Sequence, residues 1–87
     1  MIRKSVTVTN PTGLHARTAA LFVQTAGKFT SRIWIRKYDK KVNAKSIIGL
    51  MSLAINKGTD IEIEAEGEDE QLAVKELIEL ITSEFKE

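Results

Sequence analysis

The 87-residue chain contains no cysteine, so neither a disulfide framework nor thiolate chemistry is available to it. Its one histidine, His15, cannot supply a histidine-rich cluster for a transition metal, and no metal site is expected. A single proline, Pro11, and five glycines leave no linker, low-complexity segment or internal repeat. No apolar run approaches the ~18 residues of a membrane span. Met1 to Ser5 runs straight into an alternating pattern with no charged and then apolar leader. A cytoplasmic, unprocessed protein with no membrane insertion is therefore expected. Charge of one sign is also scarce. Thirteen Lys and Arg stand against twelve Asp and Glu, and a net charge of +1 argues against strong long-range attraction to nucleic acid or anionic lipid.

What the chain does have is an ordinary globular balance, with 43% hydrophobic and 29% charged residues. Domains usually run to about 50–250 residues, so one domain spanning 1–87 with one core is expected. Charge is unevenly placed, with basic residues at Arg32, Arg36, Lys37, Lys40, Lys41 and Lys45 and acidic ones dominant from Asp60 onward.

Residues 2–8 alternate, Ile2, Val6 and Val8 against Arg3, Ser5 and Thr7, the period of a half-buried strand. Asn10-Pro11-Thr12-Gly13 ends it. Ala19, Phe22, Val23, Ala26 and Phe29 fall on one helical stripe, with Gly27 as a stop. A strand around Ile33 and Ile35 leads through Tyr38-Asp39 to a second near Lys41 to Ala44, a hairpin. Ser46 is a suitable N-cap for a short apolar helix running to Ala54. Ile61, Ile63 and Ala65 alternate with Glu62, Glu64 and Glu66 in a fourth strand. Val74, Leu77, Ile78, Ile81 and Phe85 define the last helix, whose early acidic residues suit its dipole. Strands with one polar side and helices with single apolar stripes predict an open-faced, two-layer α+β sandwich.

Two segments carry more than a core needs. Gly13-Leu14-His15-Ala16-Arg17 puts the only histidine at a strand-to-helix junction. The first N–H groups of a helix lack intrahelical partners and with the dipole form an anion site. Arg17 adds a guanidinium suited to phosphate, and an anion would offset the unfavourable placement of a cation in a first turn. Neutral imidazole near physiological pH is nucleophilic, and a phosphoramidate formed on it keeps a high transfer potential. The second segment follows Ser46. If Leu50 and Leu53 face inward, Ile47, Ile48 and Met51 are left exposed as a docking patch, with Ser46 in position for a phosphate switch.

Gly-Leu-His-Ala-Arg at 13–17 and Val-Asn-Ala-Lys-Ser-Ile-Ile-Gly-Leu-Met-Ser-Leu at 42–53 resemble the two signature regions of the HPr family of histidine phosphocarriers, and the likeness covers essentially the whole chain. The resemblance implies a four-stranded antiparallel sheet of order 1-4-2-3 covered on one face by three helices. It implies that His15 accepts a phosphoryl group on Nδ1 from phosphorylated enzyme I, charged by phosphoenolpyruvate, and passes it to sugar-specific IIA domains. Arg17 and the amides of Ala16 and Arg17 match the family's phosphate contacts. Ala16, Ala20, Gln24, Ile47, Ile48 and Met51 fall where the family docks partners. Ser46 matches the serine modified by HPr kinase/phosphorylase, whose product acts with a catabolite-control transcription regulator. No cofactor is implied, and the protein is expected to be a monomeric carrier and not an enzyme.

The chain departs from the family pattern at Thr18, where proline is usual. Threonine restores a backbone donor and is expected to loosen the first turn, so that Thr18→Pro changes transfer kinetics modestly. Ile48 replaces a frequent methionine and should mainly retune docking. Two alternatives remain. One is a mainly regulatory HPr-like protein acting through Ser46, a branch in which His15 would be missing. The other is a nucleic-acid module using Arg32, Trp34, Arg36, Lys40 and Lys41 on the open sheet face, which lacks interleaved aromatics for base stacking.

Overall fold

The alternating and helical periods resolve into β1 (Ile2–Thr7), α1 (Ala16–Ala26), β2 (Arg32–Lys37), β3 (Lys40–Asn43), α2 (Ile47–Ser52), β4 (Asp60–Glu66) and α3 (Glu70–Thr82). This is a computed structural model describing residues 1–85, and the last two residues of the expected 1–87 domain, Lys86 and Glu87, lie outside the described residues. The strands form one antiparallel sheet in the order β1-β4-β2-β3. Three helices cover one face, as expected for an open-faced α+β sandwich.

The covered face follows from the pattern. Ile33, Ile35, Ile61, Ile63 and Ala65 point inward and meet Phe22 and Ala26 of α1, Leu50 of α2, and Val74, Leu77 and Ile81 of α3, all buried. Burial of each large side chain among them stabilises the fold by about 1.5–3 kcal/mol.

Element ends depart from the sequence reading in instructive ways. Strand β3 is Lys40–Asn43, and Ala44 lies just beyond it, buried, its amide bonded to the Ile33 carbonyl at 2.9 Å. Gly27 does stop α1, but at φ −66, a right-handed conformation open to any residue. Phe29 is in the core although outside the helix. Phe85 is also buried, yet α3 ends at Thr82. Glu84 and Phe85, at φ 57 and 63, turn the chain through left-handed backbone and fold the ring back inward.

The open face holds a feature that alternation alone does not reveal. Glu64, read as one of three solvent-facing carboxylates, is only 1% exposed. Arg3 of β1 lies opposite it with Nε at 3.4 Å, Arg36 of β2 reaches it at 3.6 Å, and Lys41 of β3 at 2.8 Å. One carboxylate on a central strand thus holds a cation from each other strand. The Lys41 ammonium and, behind it, the two guanidinium charges hold the Glu64 carboxyl below the usual range against the opposing effect of burial.

The basic cluster between residues 32 and 45 is largely consumed by the fold. Lys37 Nζ donates to the carbonyls of Leu53 and Ala54 at 3.0 and 2.9 Å, and Lys40 Nζ to that of Ser52 at 3.2 Å, so both serve the C-terminal end of α2. Lys45 Nζ donates to the Phe29 carbonyl at 2.7 Å. Lys41 also sits 4.6 Å from the Trp34 ring centroid, occupying a face of the aromatic ring that a base would need. Of the residues the nucleic-acid reading invoked, Arg36, Lys40, Lys41 and Trp34 thus have partners within the fold, and Arg32 is left exposed.

Asp69 is the N-cap of α3 without bonding its side chain to that helix. Its carboxylate instead accepts from the Thr30 and Ser31 amides at 2.9 and 3.0 Å and from the Ser31 hydroxyl. These bonds, led by the Ser31 hydroxyl, hold its pKa down at about 2.

Candidate functional site: an exposed imidazole at the mouth of α1

The segment between β1 and α1 is built to present one residue. Val8 is pinned through its amide to the Thr59 carbonyl at 2.9 Å and through its carbonyl to the Gly58 amide at 2.6 Å. Asn10, 3% exposed, turns its side chain inward, and Nδ2 donates to the Gly13 carbonyl at 2.9 Å and to the Thr12 hydroxyl at 3.3 Å. Gly13 takes φ +62, and a Cβ there would lie 2.3 Å from the Ile55 carbonyl oxygen, so glycine is required both for conformation and for space. Leu14 follows, buried, with its amide on that same Ile55 carbonyl at 2.9 Å.

With Leu14 anchored, His15 must face out. It is the N-cap of α1 in extended conformation, exposed, and its carbonyl accepts the Ala19 amide at 2.6 Å. Ala16 and Arg17 open the helix, both exposed, and no acidic residue lies in the first turn to offset the positive end of the dipole. His15, Ala16, Arg17 and Thr18 line an open cleft of about 440 Å³, to which Glu84 and Phe85 also contribute. An imidazole, free first-turn amides and a guanidinium around one open space can accept a phosphoryl group and disperse the charge of its oxygens.

Thr18 corrects the sequence reading. It does not loosen the turn. Its hydroxyl donates to the Gly13 carbonyl at 2.6 Å and accepts from the His15 amide at 3.1 Å, tying the ends of the loop together. Propensity described only the backbone of this residue and missed what its side chain reaches. Asn10 and Glu84 also escaped sequence reading. Asn10 carried a faint signal in its turn cluster, whereas Glu84 comes to the cleft only through the left-handed turn at the end of α3.

The second segment stands where it was expected. Ser46 is the N-cap of α2, its hydroxyl accepting from the Gly49 amide at 3.1 Å. Leu50 and Leu53 face the core, while Ile47, Ile48 and Met51 are 38%, 81% and 47% exposed. Helices α1 and α2 pack against each other, so this patch adjoins the helix bearing Ala16, Ala20 and Gln24; Ala16 and Gln24 are exposed and Ala20 half-buried. Ser46 does not line the His15 cleft. No helix among the described residues is long and apolar enough to cross a membrane.

Fold and site together define the class: a small open-faced α+β domain with its histidine at a helix mouth, open to an anion. Comparison with known proteins agrees. The family described as "PTS HPr component phosphorylation site" matches residues 2–83. The HPr-like protein Crh of Halalkalibacterium halodurans is 58% identical over 84 residues, covering 97% of this chain and all of the relative. Phosphocarrier protein HPr of Neisseria meningitidis is 48% identical over 87 residues, covering 100% of this chain and 98% of the relative. Among solved structures, HPr-C-His from Thermoanaerobacter tengcongensis superposes with a TM-score of 0.97 at 55% identity, covering 100% of this chain and 98% of that one. An HPr dimer from the same organism gives 0.80 at 55% identity, with both chains covered in full. The chain belongs to the HPr family, the phosphocarrier component of the phosphotransferase system.

Proposed function

We propose that this chain carries a phosphoryl group on His15 between phosphorylated enzyme I and sugar-specific IIA domains. The observation that carries this reading is the exposed imidazole at the mouth of α1, sharing one cleft with Arg17. In the forward step a P–N bond forms at Nδ1 while the bond to the donor's phosphoryl-bearing atom breaks. The Ala16 and Arg17 amides and the Arg17 guanidinium meet the phosphoryl oxygens. In the onward step the P–N bond breaks as the acceptor's nucleophile forms its own bond to phosphorus. The protein is a substrate of the enzymes it meets and not itself an enzyme, it needs no cofactor, and it works in the cytoplasm as a monomer. Ala16, Ala20, Gln24, Ile47, Ile48 and Met51 receive the partners.

The test is incubation with enzyme I and phosphoenolpyruvate followed by intact-mass analysis. Wild type gains one acid-labile phosphoryl group and His15→Ala gains none. A wild-type chain left unmodified, or a variant that is modified equally, sinks the proposal.

Regulation through Ser46 is the second reading, favoured by the 58% identity to an HPr-like protein named Crh. The serine hydroxyl is half-buried at the start of α2, beside exposed Ile47. Phosphate there would bring about −1.5 to −2 charges to the edge of an apolar docking patch and weaken it. In this reading HPr kinase/phosphorylase modifies Ser46, and the modified form serves a catabolite-control transcription regulator. A kinase reaction comparing wild type with Ser46→Ala tests it: the variant takes up no phosphate, and equal labelling of both refutes the site. Retention of His15 supports placing the carrier role first.

A further inference from the structure

We propose that Thr18 is a positioning residue for His15: its hydroxyl bridges the Gly13 carbonyl and the His15 amide and so fixes the backbone from which the imidazole projects. The kinetic part of this role rests on the phosphocarrier reading; the backbone part does not.

A hydroxyl has one donor and two acceptor sites. Thr18 Oγ1 uses both kinds, donating to Gly13 O at 2.6 Å and accepting from His15 N–H at 3.1 Å, with the His15 carbonyl a more distant 3.4 Å. The His15 amide has no other partner among the described residues, as expected at an N-cap, where the helical ladder has not begun. The Gly13 carbonyl takes a second bond from Asn10 Nδ2 at 2.9 Å. One carbonyl therefore joins the buried anchor of the loop to the first turn of α1, two residues before the imidazole.

Proline at this position would preset φ but supplies neither hydroxyl nor N–H. In this chain the loop is held by a side-chain bridge, and the Thr18 amide, at the third helical position, faces the His15 side chain in a capping-box arrangement. Transfer between proteins is sensitive to such placement, since about 1 Å of misplacement can cost about a hundredfold in rate. Thr18 itself is half-buried, lines the His15 cleft and is not among the residues read as receiving partners, so its loss should act on turnover and not on docking.

The experiment compares wild type with Thr18→Val, which keeps shape and removes the hydroxyl, and Thr18→Ser, which keeps the hydroxyl. Amide exchange at His15 is measured on the unphosphorylated protein, and kcat and KM for the carrier are measured with enzyme I and phosphoenolpyruvate. Thr18→Val should speed exchange at the His15 amide about three- to tenfold, the worth of one hydrogen bond. It should lower kcat by about tenfold with KM unchanged, and Thr18→Ser should restore both quantities. A valine variant with wild-type exchange overturns the bridge, and one with faster exchange but wild-type kcat overturns the positioning role. A wild-type chain that takes no phosphoryl group overturns the phosphocarrier reading and the kinetic part of this role, while exchange at the His15 amide still tests the bridge. A wild type that is phosphorylated beside an equally fast valine variant overturns Thr18 alone.

Discussion

Glu64→Gln removes a charge while keeping the shape of the side chain, and its effect can be worked from the cluster on the open sheet face. A close contact to a charged partner contributes about 1.5–3 kcal/mol, and the Lys41 ammonium forms an ion pair with Glu64 at 2.8 Å. The Arg3 and Arg36 contacts are longer, at 3.4 and 3.6 Å, and their side chains are 58% and 40% exposed, so both regain water when the carboxylate is lost and add little. A net loss of about 2 kcal/mol follows. At about 4–8 °C per kcal/mol for a domain of this size, Tm should fall by about 8–16 °C at neutral pH. The pH dependence has a definite sign. The folded-state pKa of Glu64 lies below the ordinary 4.5, so its contribution is complete above that value and is lost as pH falls through the depressed one. Thermal melts followed by circular dichroism should therefore show a gap between wild type and variant that narrows in acid. A gap that is absent at neutral pH, or that does not narrow as acid protonates Glu64, would refute the reasoning.

Three other substitutions probe separate parts of the molecule. Gly13→Ala must place a Cβ 2.3 Å from the Ile55 carbonyl oxygen in left-handed backbone, and should cost at least about 2 kcal/mol in denaturant titrations while slowing phosphoryl gain at His15. Met51→Asp, at a position 47% exposed, should shift stability by no more than about 0.5 kcal/mol yet raise KM with enzyme I by about fivefold or more; an unchanged KM would remove Met51 from the docking surface. Asp69→Asn should lower Tm at neutral pH. Because Asp69 titrates at about 2 against an ordinary 3.8, that deficit should persist through mildly acid conditions and close only as pH approaches 2.

Most of the framework was legible because it is written locally. Strand alternation and helical stripes identified every element, and a lone histidine after a glycine turn identified the candidate site. What escaped depends on residues distant in sequence. Glu62, Glu64 and Glu66 look alike in the chain, and only the pairing of β4 with Arg3 on one side and with β2 on the other singles out Glu64. Asp69 read as a first-turn acid beside a dipole, whereas it grips an amide 39 residues earlier. The basic residues read only as a cluster along the chain, but Lys37, Lys40 and Lys45 end on carbonyls of other segments. Phe85 satisfied helical periodicity and is buried, yet gets there by leaving the helix.

The junction at Glu64 bears on how the molecule comes apart. Strands β1 and β3 are the two margins of the sheet, and margins are where such structures fray first. Here each margin contributes a cation to the same central carboxylate. If either strand peels away, water reaches that carboxylate and dilutes its hold on the other, so the two borders should detach in concert.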